Sequence, residues 1–237
     1  MRPVNLGTLA VNAYLFPTLA GYLLVDTGYP GGGEAFFRRL SRKKIDRNEL
    51  QWIFLTHAHD DHAGFLNDVL RGTRARVLLH PLAVERLRSG HNPPQGGPPN
   101  GRAALACRAL RLAGKGGHAF PPLPRELENR LIPLEGQRRR ELESNLGVRF
   151  LDTPGHTADS MSLLTEDGVC FCGDAAMSGP LARRHVTIWM EDPAAYRASW
   201  QTLLAAAPRM LYPGHGGPIS PAALQKDLTR LRLEGAR

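Results

Sequence analysis

The nine residues Thr56-His57-Ala58-His59-Asp60-Asp61-His62-Ala63-Gly64 place three histidines and two aspartates within six positions. Neutral imidazoles and ionised carboxylates are the usual ligands of zinc and similar divalent metals. Charged groups taken out of water need partners, so a fold that buries this segment needs a cation in it. The plain alternative is a solvated polar loop without metal, and the rest of the chain weighs against it. An apolar strand, Trp52-Ile53-Phe54-Leu55, runs directly into the cluster. The same design recurs: Phe150-Leu151-Asp152-Thr153-Pro154-Gly155 precedes His156, Cys170-Phe171-Cys172-Gly173 precedes Asp174, and Leu211-Tyr212-Pro213-Gly214 precedes His215.

Ligands at the ends of strands in a packed sheet can converge at one edge, where loops carry function on a rigid scaffold. Seven candidates stand at these positions: His57, His59, Asp61, His62, His156, Asp174 and His215. One tetrahedral zinc in a catalytic site takes three protein groups and a water, so seven suit two metals. Three histidines for one ion, two histidines and an aspartate for the other, and one shared carboxylate complete the count. Two cations roughly 3.5–4 Å apart can hold a hydroxide and stabilise both attacking and leaving oxygens.

These segments resemble the metallo-β-lactamase superfamily of hydrolases. His57-Ala58-His59-Asp60-Asp61-His62 is similar to its H-x-H-x-D-H signature, and Asp26-Thr27-Gly28 to its early D-[TS]-G element. Thr153-Pro154-Gly155-His156-Thr157, Gly173-Asp174 and Pro213-Gly214-His215-Gly216 follow in the family's order. The resemblance implies an α/β fold, a four-layer αββα sandwich with the metals at the sheet edge. It implies His57, His59 and His156 on the first metal, Asp61, His62 and His215 on the second, and Asp174 bridging. Asp61, His62 and Asp174 are then the catalytic group, with Asp26 behind the ligands, orienting a histidine. Asn12 resembles an early family position or serves as a hydrogen bonder at a strand end.

A chain of 237 residues fits one such domain over residues 1–237, and a Pro- and Gly-rich segment at about 90–141 reads as a partly helical, partly mobile insertion. Its plain alternative is a surface excursion without a catalytic role. Composition is that of a globular protein, 42% hydrophobic and 22% charged, which excludes wholesale disorder. No apolar run approaches the ~18 residues of a membrane helix. Met1 to Leu6 lacks the features of a signal peptide, and three cysteines do not make a disulfide framework, so the cytoplasm is expected. Cys170 and Cys172 read as small core residues rather than a metal or redox pair, and Cys107 as helix packing. The net charge of +8 gathers in runs such as Arg38-Arg39, Arg42-Lys43-Lys44 and Arg138-Arg139-Arg140, read as solvated helix faces. His80, His91 and His118 read as structural or exposed, and His185, after Arg183-Arg184, as a residue that meets substrate or is merely structural.

The reaction expected from the resemblance is hydrolysis of an ester, thioester or lactone by a hydroxide held between two divalent metals, zinc first, with iron or manganese as alternatives. The substrate is a small molecule, anionic if the positive charge serves it. No membrane partner is expected, and a homodimer is left open. Departures mark the limits. The stretch Asp174-Ala175-Ala176-Met177-Ser178 lacks the tyrosine that acyl-homoserine lactonases carry shortly after this aspartate, and only about 20 residues follow His215, where glyoxalase II carries a helical domain. True β-lactamases of the superfamily generally lack an aspartate at the position of Asp174. The alternative reading is a phosphodiesterase or nuclease acting on nucleotides or RNA. The positive charge supports it, but no aromatic residues interleave with the basic runs. A mononuclear-iron dioxygenase is a further alternative. The diiron oxidases of the superfamily carry a glutamate where His59 stands and a fused flavin domain, and neither is present.

Overall fold

Adjacent parallel strands that end level with one another present the residues after them at one edge, and both sheets of this protein are built so. A computed structural model describes residues 3–91, 95–112, 114 and 119–231. The chain divides into two compact units, Met1–Asn92 with His118–Val148, and Pro93–Gly117 with Arg149–Arg237.

The first unit carries a six-stranded mixed sheet of β1 (Val4–Asn5), β2 (Tyr14–Thr18), β3 (Gly21–Val25), β4 (Leu50–Phe54), β5 (Arg76–Leu79) and β6 (Leu131–Pro133), in that order across the sheet. β1 to β3 form antiparallel pairs, and β3 to β6 run parallel. Parallel strands are buried on both faces and read as continuous apolar runs; Leu23, Leu24, Ile53, Phe54, Val77 and Leu78 are accordingly fully buried. The crossovers carry α1 (Gly33–Arg42), α2 (Asp60–Ala63), α3 (Leu66–Gly72) and α4 (Ala83–Ser89). α1 buries Phe36 and Leu40, four residues apart on one face, and Phe36 packs against Phe65 with ring centroids 5.6 Å apart.

The second unit holds α5 (Gly101–Leu112) and, later in the chain than α6 (Gly136–Leu146) of the first unit, a four-stranded sheet. Its strands are β7 (Val148–Asp152), β8 (Met161–Thr165), β9 (Val169–Gly173) and β10 (Met210–Pro213), in the spatial order β10-β9-β8-β7. β9 and β10 are parallel, and β8 and β9 antiparallel. α7 (Pro193–Ala205) and α8 (Pro221–Leu228) both begin with proline behind a capping side chain, Asp192 and Ser220. Cys170 and Cys172 sit in the core with Trp200, Leu203 and Leu211. Burial pushes the Cys170 thiol up to about 12, and Cys172 is raised as well, so both act as apolar packing. Cys107 lies on α5, its thiol donating to the Ile188 carbonyl at 3.4 Å.

Segment 90–141 differs from a uniform insertion. Leu131–Pro133 extends the first sheet as a parallel partner of β5, whereas α5 belongs to the other unit. A three-residue strand is too short for its periodicity to show. α2 and α3 follow closely but are separate helices, broken at Gly64-Phe65. No described helix is long and apolar enough to cross a membrane.

Candidate metal centre

In the first unit the level ends of β3 and β4, with Val25 opposite Phe54, set Asp26 beside Thr56. The Asp26 amide donates to the Phe54 carbonyl at 2.9 Å. Its carboxylate accepts three hydrogen bonds, each 2.8 Å: from the Thr56 amide, the Thr56 hydroxyl and His62 Nδ1. Because the Thr56 hydroxyl spends its proton on Asp26, its oxygen accepts from His57 Nδ1 at 3.0 Å. Asp26 therefore places the proton of His62 on Nδ1 directly and that of His57 through Thr56. Both rings are left with the lone pair on Nε2, the form that binds a metal.

The neighbours of Asp26 serve the same segment. Thr27 donates from its amide and its hydroxyl to the His62 carbonyl, at 2.8 and 2.7 Å. Gly28 lets Phe65 close in, since a Cβ there would lie 2.7 Å from Cε1 of that ring. Asp26 itself is held at φ 59°, a left-handed conformation that aspartate tolerates better than most residues.

His59 stands extended at the N-terminus of α2, whose single turn carries Asp60, Asp61 and His62. The His57 ring lies 4.7 Å from the His59 ring and 4.1 Å from the His62 ring, centroid to centroid. All three histidines are buried. His62 Nε2 and Asp61 Oδ1 are 3.7 Å apart. That is beyond hydrogen-bond reach and near the roughly 3.3 Å that separates two ligands of one tetrahedral zinc. Asp60 is more deeply buried than Asp61, and its carboxyl is pushed up to about 7, first by that burial and then by the charge of Asp61.

In the second unit β9 and β10 end level, Gly173 opposite Pro213, and the Gly214 amide donates to the Gly173 carbonyl at 2.8 Å. Asp174 and His215 leave the sheet together. Asp174 Oδ2 lies 3.4 Å from His215 Nε2 and 3.7 Å from His156 Nε2, one carboxylate oxygen beside two imidazoles. His156 Nδ1 donates to the Trp189 carbonyl at 2.8 Å, which again leaves Nε2 with the lone pair.

The turn before His156 is set by Gly155, at φ 123°, where a Cβ would lie 2.2 Å from the Tyr196 amide nitrogen. Its carbonyl accepts from the amides of Glu191 and Asp192, at 2.9 and 3.0 Å. We expect Gly155→Ala to cost about 3 kcal/mol, from backbone overlap and a strained dihedral. Thermal unfolding should report this as a fall in Tm on the order of 10 °C.

The unit-one set thus comprises His57, His59, Asp61 and His62 with Asp26 behind them, and the unit-two set His156, Asp174 and His215. Thr56 supports the first set and the Trp189 carbonyl the second. A threonine between a strand end and the first histidine was the visible signal for the former; a backbone carbonyl gives none. His185 is tied to α8, Nδ1 to Asp227 Oδ2 at 2.8 Å. It closes a two-residue hairpin in which Arg184 and His185 both have positive φ. Asn12 accepts from the Asn5 side chain at 2.7 Å. His80 Nδ1 accepts from the Leu82 amide at 3.1 Å, and His91 bridges to Ala119. His118, with Pro93 and Pro94 of the expected insertion, lies outside the described residues.

Residues 6–215 match the family described as the metallo-beta-lactamase superfamily. A metallo-beta-lactamase fold-containing protein of Sulfurisphaera tokodaii is 27% identical over 188 residues, 78% of this chain and 67% of its own. A hydroxyacylglutathione hydrolase of Acidiphilium cryptum is 29% identical over 180 residues, 76% of this chain and 56% of its own. The chain thus spans between about half and two thirds of these two relatives. The solved structure of TTHA1623, in a di-iron-bound form, superposes with a TM-score of 0.66 and 28% identity, covering 98% of this chain and all of that one.

Proposed function

Because the chain belongs to the metallo-β-lactamase superfamily of metal-dependent hydrolases, we propose that it cleaves an ester, thioester or lactone with the help of two divalent metal ions. His57, His59 and His156 would hold one ion and Asp61, His62 and His215 the other, with Asp174 shared and both units acting as one domain. The observation that carries this reading is a shared hydrogen-bond pattern: three histidines of the set engage Thr56, Asp26 and the Trp189 carbonyl through Nδ1, which leaves Nε2 for a metal. Asp174 Oδ2, beside two imidazole nitrogens, is the natural shared carboxylate. Metal ions in such a set lower the pKa of a bound water and polarise the oxygen of the electrophile. The chain's part is to keep each Nε2 in its metal-binding form, to hold the ligands in dry surroundings, and to offer Asp61 as the most exposed carboxylate of the set for handling a proton. Zinc suits imidazole and carboxylate donors, and iron does too.

The choice of a carbonyl substrate is supported by the likeness to the Acidiphilium cryptum protein. The test is metal analysis of the purified protein followed by a substrate panel: a thioester, an aromatic lactone, a p-nitrophenyl ester and bis-p-nitrophenyl phosphate. We expect about two metals per chain and the fastest turnover on a carbonyl substrate. Phosphodiester turnover well above the rest would overturn the substrate class. One iron per chain with oxygen consumption would overturn hydrolysis itself.

A further inference from the structure

We propose that the solvent-facing side of α5 is a docking surface for an anionic lipid bilayer. Leu105, Ala109 and Leu112 follow the i, i+4, i+7 spacing of one helical stripe, and all three are exposed. Leu105 is 69% and Leu112 83% exposed, while the opposite side rests on the unit, with Ala103 buried and Cys107 bonded to the Ile188 carbonyl. Arg102 lies on one flank of the leucine stripe, and Arg108 and Arg111 on the other. Arg102 donates to the Pro180 carbonyl at 3.2 Å, which brings the next loop alongside and adds exposed Leu181, Arg183 and Arg184. No acidic residue occurs from Gln95 to Arg125 or from Ala175 to Met190.

The chemistry of this face selects its occupant. A second copy of the chain meeting it about a two-fold axis would set arginines against arginines. Three leucines also fall well short of the roughly 800 Å² per partner that a stable dimer buries. An anionic bilayer satisfies both features. Leucines at the crest enter the acyl boundary while guanidinium groups at their flanks meet lipid phosphates. The contact is peripheral and reversible, because each arginine near such a surface contributes a factor of only about five in partitioning.

The test is co-sedimentation of the full-length, metal-loaded protein with vesicles of phosphatidylcholine alone and of an equal mixture with phosphatidylglycerol. Binding should favour the anionic vesicles by about tenfold or more and weaken as salt is added. The pair Arg108→Gln and Arg111→Gln should lower it roughly 25-fold. Leu105→Ser with Leu112→Ser should also lower it. Unchanged thermal unfolding of both variants would show that only the surface was altered. Equal binding to neutral vesicles, no binding, or insensitivity to both variants would overturn the proposal. So would a dimer by light scattering that the serine pair converts to monomer, since a second copy would then occupy the face.

Discussion

Replacing Asp174 by alanine should lower bound metal from about two ions per chain to about one and reduce kcat/KM about 1,000-fold. Asp174 is buried, and its Oδ2 stands 3.4 and 3.7 Å from nitrogens of His215 and His156. Under the proposed scheme those imidazoles serve different ions, and Asp174 is the group that both share. Its loss leaves each ion one ligand short, and a site with fewer ligands releases its ion more readily. A second readout follows from mass action. An ion bound to the native state alone raises the unfolding temperature, so the gap in Tm between metal-loaded and chelated protein should narrow in the variant. Metal content after desalting, turnover on the best substrate of the panel and paired melting curves test this together. Full activity with two bound ions would remove Asp174 from the role assigned to it.

The elements that carry ligands were legible because each is an apolar run stopped by glycine, proline or a polar cluster. β4, β9 and β10 all read that way; β9 is buried along its whole length inside its sheet, whereas β10 at the edge alternates between buried and partly buried positions. What sequence could not convey was mostly backbone. The Trp189 carbonyl that receives the His156 proton has no side-chain signature. The hairpin at Arg184 and His185 has positive φ at both positions without the asparagine or glycine that usually mark such a turn. β6 carries no sequence signal because three residues cannot display a period. The sequence marks Asp26 as orienting one histidine. Its reach to a second runs through the hydroxyl of Thr56, a connection that needs both strand ends in register before it exists.

That connection makes Asp26→Asn the sharpest single test of how the site is prepared. Asparagine has nearly the same shape and also accepts a left-handed backbone, so φ 59° at this position is not disturbed. Its side-chain oxygen can still accept from the Thr56 amide. An NH2 group then stands where Oδ2 received protons from the Thr56 hydroxyl and His62 Nδ1. Donor now faces donor. The arrangement relaxes when the amide donates to Nδ1 and the His62 proton moves to Nε2, which ends that ring's capacity to hold a metal. The Thr56 hydroxyl loses its acceptor too, and with it the orientation that receives the His57 proton. A fall in metal affinity and turnover on the order of a hundredfold is expected, the upper end for loss of a partner behind metal ligands. Thr56→Val supplies the comparison. It deprives His57 of its acceptor while Asp26 continues to hold His62, so its effect should be smaller, roughly tenfold. Competition with a chromophoric chelator measures both affinities, and NMR of the imidazole nitrogens in metal-free protein reports the tautomers directly. If Asp26→Asn bound metal as tightly as the parent, with His62 still protonated on Nδ1, Asp26 would not govern the proton positions in this site.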